Sequence, residues 1–362
     1  MVRVGVIGTS AWTERMYMHA LKNHPDGTVS AVCARDHDRT HDCARRWNIP
    51  NVYTDWRDLL DSDDIDAVII STPNDIHYPI TMHALKNSLH VLCEKPLALN
   101  HAQADAMATE ADRRCLVNMT AFTYWYFPHY RYLAHLMHEH TIGTPYHFNM
   151  RYYSGHGIHG DPQWRFDRRH AGEGALFDIG SHALVLARAF LGDIAAVSAS
   201  LPVTITRPGI PAAHRASDQA ILNLRFADGT PGVIHLSMVS HQPKAGGQKQ
   251  SLEISGSDGT LYYQNDFSSR FLLSLAKPGD DTPTELHVPD IYWPPQVSRA
   301  NPREMYANLF QKSNTMAREF VSAIADDRRP DGPDLREGAE VQKVLDAAVR
   351  SHRNSAQWED IT

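Results

Sequence analysis

Cysteine is scarce: the 362 residues hold four thiols, Cys33, Cys43, Cys93 and Cys115, with no C-x-x-C spacing. That pattern excludes a disulfide framework and a thiolate zinc site, and it fits reduced thiols in a cytoplasmic protein. No apolar run approaches the roughly 20 residues needed to span a bilayer. The amino terminus enters a strand pattern directly, without a signal peptide. Positive charge is not in excess either: 35 Lys and Arg stand against 42 Asp and Glu, a formal net charge of −7. With no basic stripe, nucleic acid is excluded as a partner. No internal repeat is present. What remains is a chain of ordinary globular composition, 42% hydrophobic, and long enough for two domains, each with its own core.

Over the first 120 residues strand and helix patterns alternate. Val2–Gly8, Val29–Cys33, Val52–Tyr53, Asp66–Ser71, Val91–Cys93 and Leu116–Met119 read as strands. Helices are expected over Ala11–Asn23, Arg39–Trp47, Ile76–Asn87 and Asn100–Arg113, the last with Asn100 as N-cap. Near-continuous apolar strands between helices imply a doubly wound parallel sheet covered on both faces, a Rossmann domain over residues 1–120.

Beyond about residue 120 the rhythm changes. A helix over Pro128–His140, a strand over Tyr146–Tyr153, a Gly/His-rich loop over Ser154–Gly160 and an apolar helix over Ser181–Leu191 come first. Longer strands follow. Ala220, Leu222, Leu224 and Phe226 share one face, and Ala227–Thr230 turns the chain into a returning strand at Val233–Val239. Further strands are expected at Leu252–Ser255, Thr260–Gln264 and Phe271–Leu275, then a proline-rich loop over Pro278–Pro302. Two helices, Met305–Asp326 and Arg336–His352, close the chain. Residues 121–362 therefore read as an α+β domain on a large, mostly antiparallel sheet, with the closing helices able to pack back on the first domain.

Four stretches carry chemistry. The first strand–helix turn, Gly8-Thr9-Ser10-Ala11-Trp12-Thr13, keeps only the first glycine of the dinucleotide fingerprint. It still offers helix N-terminal N–H groups and hydroxyls to a pyrophosphate. At the end of the second strand Ala34 stands where an acid would hold an unphosphorylated adenosine ribose, and Arg35 follows. Arg35, with Arg39, suits a 2′-phosphate, which favours NADP(H) over NAD(H). The alternative is that both arginines are solvated and pair with Asp36 and Asp38. Glu94-Lys95-Pro96 ends a parallel strand, where open α/β sheets place their ligands. Asp178 and His182, four residues apart, share a helical face. A histidine near its ordinary pKa of about 6.5 can exchange a proton at neutral pH. From spacing alone, a capping aspartate and a buried structural histidine fit equally.

Together these stretches resemble the glucose–fructose oxidoreductase / inositol dehydrogenase (Gfo/Idh/MocA) family over nearly the whole chain. The resemblance rests on the Gly8 turn, Ser71-Thr72-Pro73-Asn74 with His77, Glu94-Lys95-Pro96, Trp164-Arg165, Gly174 through His182, Gly256 through Leu261, and Glu337 through Ala348. It implies an oxidoreductase moving a hydride between a nicotinamide and a hydroxyl or ketone carbon of a sugar or cyclitol. It also implies a homodimer or homotetramer formed through the open sheet. Lys95 would polarise the reacting oxygen, His182 would be the acid/base, and Asp178 would orient substrate and lysine. Thr72, Pro73, Asn74, His77 and Glu94 would line the nicotinamide end, and Trp164 and Arg165 would approach the cofactor.

In the Phe122–Pro128 stretch, Trp125 sits where many relatives carry arginine. Tyr124 and Trp125 read either as core or as sugar-stacking, and Tyr153 and His156 as further substrate contacts. His135, His138 and His140 cluster near one helix, but no carboxylate or cysteine has matching ligand spacing, so no metal is expected. Two rival functions share the resemblance. One is a cofactor-recycling hydrolase or lyase acting on a glycoside; the other is a non-catalytic dinucleotide sensor. Retention of Lys95, Asp178 and His182 favours simple hydride transfer.

Overall fold

The structure is a computed structural model that describes residues 1–161, 163–242, 247–267, 270–299, 302–311 and 315–361. The chain forms two compact units. The first comprises Met1–Tyr126, Pro294–Val297 and Tyr306–Glu340; the second comprises Phe127–Trp293, Ser298–Met305 and Val341–Thr362.

The first unit is built on a six-stranded sheet of β1 (Val2–Ile7), β2 (Gly27–Cys33), β3 (Asn51–Tyr53), β4 (Ala67–Ile70), β5 (His90–Cys93) and β6 (Asn118–Thr120). All pairs are parallel, in the order β3-β2-β1-β4-β5-β6. The order reverses between β1 and β4, the switch point at which doubly wound sheets open a ligand crevice. Val68, Ile70, Val91 and Cys93 pack against Ile80, Ala84 and Leu85 of helix His77–Lys86, with Leu335 and Ala339 in the same core. Asn100 caps helix His101–Arg113 by accepting the Gln103 N–H, as its position predicts.

The second unit carries a nine-stranded sheet of β7 (Pro145–Ser154), β8 (Ile194–Ser200), β9 (Gln219–Phe226), β10 (Pro231–Ser237), β11 (Gln248–Gly256), β12 (Gly259–Asp266), β13 (Arg270–Ala276), β14 (Thr284–Glu285) and β15 (Glu359–Asp360). Its order is β14-β13-β12-β11-β7-β10-β9-β8-β15; β7 and β10 are parallel and the other neighbours antiparallel. Ala220, Leu222, Leu224 and Phe226 are buried on one face, as their alternation requires. The opposite face leaves Ile221 and Val233 exposed, and Tyr146 is exposed at the irregular start of β7.

Several elements differ from the sequence pattern. The first helix ends at Leu21 and contains a π-helical turn over Glu14–Met18. The closing pattern Met305–Asp326 is two helices, Pro302–Gln311 and Met316–Ala325, and residues 312–314 lie outside the described residues. The proline-rich loop holds the short β14. One helical run, Arg168–Leu191, is apolar enough by length and composition to cross a membrane, but 78% of its apolar window is buried in the protein core. Cys33, Cys43 and Cys93 are buried free thiols, and burial pushes Cys33 up to about 12.

Candidate active site

The switch point is shaped by Gly8 at the end of β1. Its φ is +123°, and a Cβ there would stand 2.2 Å from the Ser71 carbonyl oxygen. Only glycine accepts both conditions. Ser10 caps the following helix, its Oγ accepting the Thr13 N–H at 3.1 Å. The Ser10 and Thr13 hydroxyls are 2.9 Å apart, and Thr13 Oγ1 is 2.9 Å from Ser71 Oγ. A ladder of hydroxyls thus replaces the two missing glycines and ties the helix to the end of β4. The cradle fits a dinucleotide pyrophosphate: a glycine that lets backbone approach closely, and a capped helix start with free N–H groups.

At the end of β2, Asp36 caps helix His37–Trp47 by accepting the Arg39 N–H. Asp38 lies 3.3 Å from His37 Nδ1. Among the described residues neither carboxylate pairs with the exposed Arg35. Arg39 is held against the phosphate turn, Nη2 donating to Thr9 O at 3.1 Å.

Glu94 is 6% exposed, and its Oε1 accepts from both Trp12 Nε1 and Tyr17 Oη at 2.6 Å. The carboxylate therefore braces the first helix against the end of β5. Burial, then the Glu94 charge, hold the Tyr17 hydroxyl protonated well above its usual range. The π-turn that contains Tyr17 is a feature often found at functional sites.

His77 follows the Thr72-Pro73-Asn74 turn at the start of helix His77–Lys86. It is 0% exposed, with Nδ1 3.0 Å from Pro96 O and Nε2 3.0 Å from Thr72 O. Burial lowers its pKa and the two carbonyls oppose that shift. A neutral ring carries one N–H, so it donates to one of these carbonyls and packs against the other, linking the Thr72-Pro73-Asn74 turn to the Lys95–Pro96 segment. Lys95 stays partly exposed, and so do Thr72 and Pro73. Tyr124 is buried and Trp125 partly exposed in the helical turn Thr123–Tyr126.

In the second unit Asp178 lies in a π-helical turn, Leu176–Gly180, that feeds helix Ser181–Leu191, and His182 is in the first turn of that helix. Asp178 Oδ2 is 3.7 Å from His156 Nε2 and 3.8 Å from Arg165 Nε. His156 Nδ1 is 2.9 Å from Ser154 Oγ, and the Arg165 guanidinium lies over the Trp164 ring at 4.6 Å. The structure thus gathers His156, Trp164, Arg165 and Asp178. Tyr153 is not part of the group. Strand alternation turns it away from Ser154, and its hydroxyl bonds His235 Nδ1 at 2.8 Å on the open sheet face.

One organising residue escaped the sequence reading. Arg207 is 2% exposed, stacks 3.4 Å from the Phe166 ring centre, and donates to Gly157 O at 2.8 Å. Asp218, 3.9 Å away, is fully buried and accepts the Thr204 and Ile205 N–H groups. Arg207 therefore clamps the loop bearing His156 to the turn bearing Arg165. Its partners lie far along the chain, so no local spacing announces it.

Residues 2–122 match the family described as "Oxidoreductase family, NAD-binding Rossmann fold", and residues 130–262 match the "GFO/IDH/MocA C-terminal domain". Levoglucosan dehydrogenase of Pseudarthrobacter phenanthrenivorans is 29% identical over 258 residues, 65% of this chain and 64% of its own length, just under two thirds. scyllo-Inositol 2-dehydrogenase (NADP(+)) of Bacillus subtilis is 27% identical over 274 residues, 72% of this chain and 75% of its own. Among solved structures, levoglucosan dehydrogenase in complex with NADH and L-sorbose gives a TM-score of 0.84 at 25% identity, covering 100% of this chain and 99% of that one. Matched in both of its domains, the chain belongs to the Gfo/Idh/MocA family of NAD-binding oxidoreductases.

Proposed function

We propose that this enzyme is an NADP(H)-dependent oxidoreductase acting on a hydroxyl or ketone carbon of a sugar, sugar derivative or cyclitol, in the cytoplasm. The cofactor choice is carried by the end of β2, where Ala34 offers no carboxylate to a ribose and the exposed Arg35 is not engaged by Asp36 or Asp38. A guanidinium there suits a phosphate dianion. The substrate class is supported by relatives that are sugar and cyclitol dehydrogenases.

When bound, the nicotinamide supplies or accepts the hydride. The chain's own residues manage binding and the proton. Gly8 and the capped helix start receive the pyrophosphate. Lys95 hydrogen-bonds the reacting oxygen and stabilises the charge that develops on it. In oxidation His182 takes the hydroxyl proton as hydride leaves the same carbon; in reduction it returns that proton. Asp178, flanked by Arg165 and His156, orients the substrate hydroxyls. The exposed Ile221 and Val233 of the open sheet face further support a homodimer or homotetramer; light scattering that shows only monomer would refute this.

The deciding experiment is a panel of sugars and cyclitols incubated with NADP+ and with NAD+, followed by absorbance of the reduced nicotinamide. Net reduction is expected, with NADP+ preferred. Preference for NAD+ would overturn the cofactor assignment. Glycoside cleavage without net reduction would favour a cofactor-recycling hydrolase.

A further inference from the structure

The second unit also holds a cavity of about 490 Å³ that shares no lining residue with the group around Asp178. The volume falls within the roughly 300–1,000 Å³ of small-molecule sites. His129, near the start of helix Pro128–His138, Phe271 of β13 and Trp293 form its aromatic wall, and Glu285, Asp290 and Arg299 its polar lining.

His129 is the unusual member. It is 8% exposed, stacked on Phe271 at 4.9 Å and edge-on to Trp293 at 5.6 Å. Burial pushes its pKa down to about 4, so the ring is neutral at pH 7. Among the described residues its Nδ1 is sealed without a hydrogen-bond partner. Among the described residues no protein group bonds Nε2, and the ring lines the cavity. The sealed Nδ1 lies beyond a ligand's reach, so Nε2 is the ring nitrogen that a ligand hydroxyl in the cavity would meet.

The charges narrow the ligand class. Arg299 is already engaged, 2.8 Å from Asp290 and with its guanidinium 4.6 Å over the Trp293 ring. With that cation neutralised and His129 uncharged, an anion finds little to bind. An organic cation would have to compete with Arg299 for cation–π contact with Trp293, whereas a neutral molecule needs only the ring surface that lines the cavity. A neutral polyhydroxylated molecule suits the lining better: its C–H surfaces lie against the rings, and its hydroxyls meet His129, Glu285 and Asp290. We propose that this cavity is a second carbohydrate-binding site, taking a neutral sugar or polyol apart from the residues of hydride transfer.

The test is titration calorimetry on the full-length protein without cofactor. The probes are myo-inositol and methyl β-D-glucopyranoside, with glucose 6-phosphate and choline as charged controls. At least one neutral probe is expected to bind, and Trp293→Ala to weaken it at least tenfold. His129→Phe keeps a ring but removes both nitrogens, and should weaken it severalfold. Neither variant should change kcat/KM for a substrate that the enzyme oxidises. The proposal is overturned if no neutral probe binds saturably at millimolar concentration, if binding survives both substitutions, or if only a charged control binds. Should Trp293→Ala fail to fold, His129→Phe and Glu285→Gln decide alone.

Discussion

Glu94 should hold the first helix of the dinucleotide-binding unit in place, and its removal gives a measurable energy. Its Oε1 receives two bonds of 2.6 Å, from Trp12 Nε1 and from the Tyr17 hydroxyl, and Tyr17 is 0% exposed. Hydrogen bonds to a charged partner contribute about 1.5–3 kcal/mol each. Glu94→Ala removes both and leaves the Tyr17 hydroxyl buried without an acceptor, a loss of about 3–6 kcal/mol. Glu94→Gln keeps an acceptor oxygen without the charge, and loses roughly half as much. At about 2–4 °C per kcal/mol for a unit of this size, the Ala variant should melt roughly 6–24 °C lower, and the Gln variant about half as far. Calorimetry of the full chain would follow the transition. A double-mutant cycle with Tyr17→Phe should return a coupling of about 1–3 kcal/mol. Both variants should also bind NADP(H) less tightly, because the helix that starts at Ser10 is less well anchored. Unchanged melting in Glu94→Ala, or strict additivity with Tyr17→Phe, would refute the bracing role.

The other expectations follow from the same geometry. Arg35→Ala should weaken NADP(H) roughly 10–150-fold while barely affecting NAD(H), measured by cofactor titration; equal losses would refute the 2′-phosphate assignment. Lys95→Ala and His182→Ala should each lower kcat at least about a hundredfold, with cofactor affinity kept; near-normal turnover in His182→Ala would make that histidine structural. Arg207→Met should raise KM for the sugar more than it lowers kcat, because it loosens the His156 loop against the Arg165 turn; a fall in stability with unchanged KM would reduce Arg207 to packing. For His129 the folded pKa of about 4 lies below the ordinary 6.5, so between these values the unfolded chain binds a proton that the folded chain refuses. Stability should be flat above about pH 6.5 and fall by up to roughly 3 kcal/mol as pH drops toward 4. Denaturant titrations across that range should show His129→Phe losing this share of the dependence, while His24, His77, His90 and His235, also lowered by burial, keep theirs.

The sequence by itself determined the elements whose pattern is local. The apolar runs at Val2–Ile7, Ala67–Ile70 and His90–Cys93 could only be buried strands between helices, which set a parallel sheet and put Glu94-Lys95-Pro96 at a carboxyl end. Gly8 was legible because a single backbone conformation requires it, and the alternation at Gln219–Phe226 named its own buried face. Tertiary structure decided the rest. The strand Ile194–Ser200 escaped notice because it is buried along most of its length and so lacks alternation. The partners of Glu94 and His77 could not be read from the sequence: the fold brings Trp12 and Tyr17 to the first and two backbone carbonyls to the second. The group of His156, Arg165 and Asp178, its Arg207–Asp218 clamp, and the unmatched His129 are equally invisible in the chain order. Periodicity is a property of neighbours and is written in the sequence. Ion pairs and cavities join residues far apart along the chain, and only the folded backbone brings them within reach.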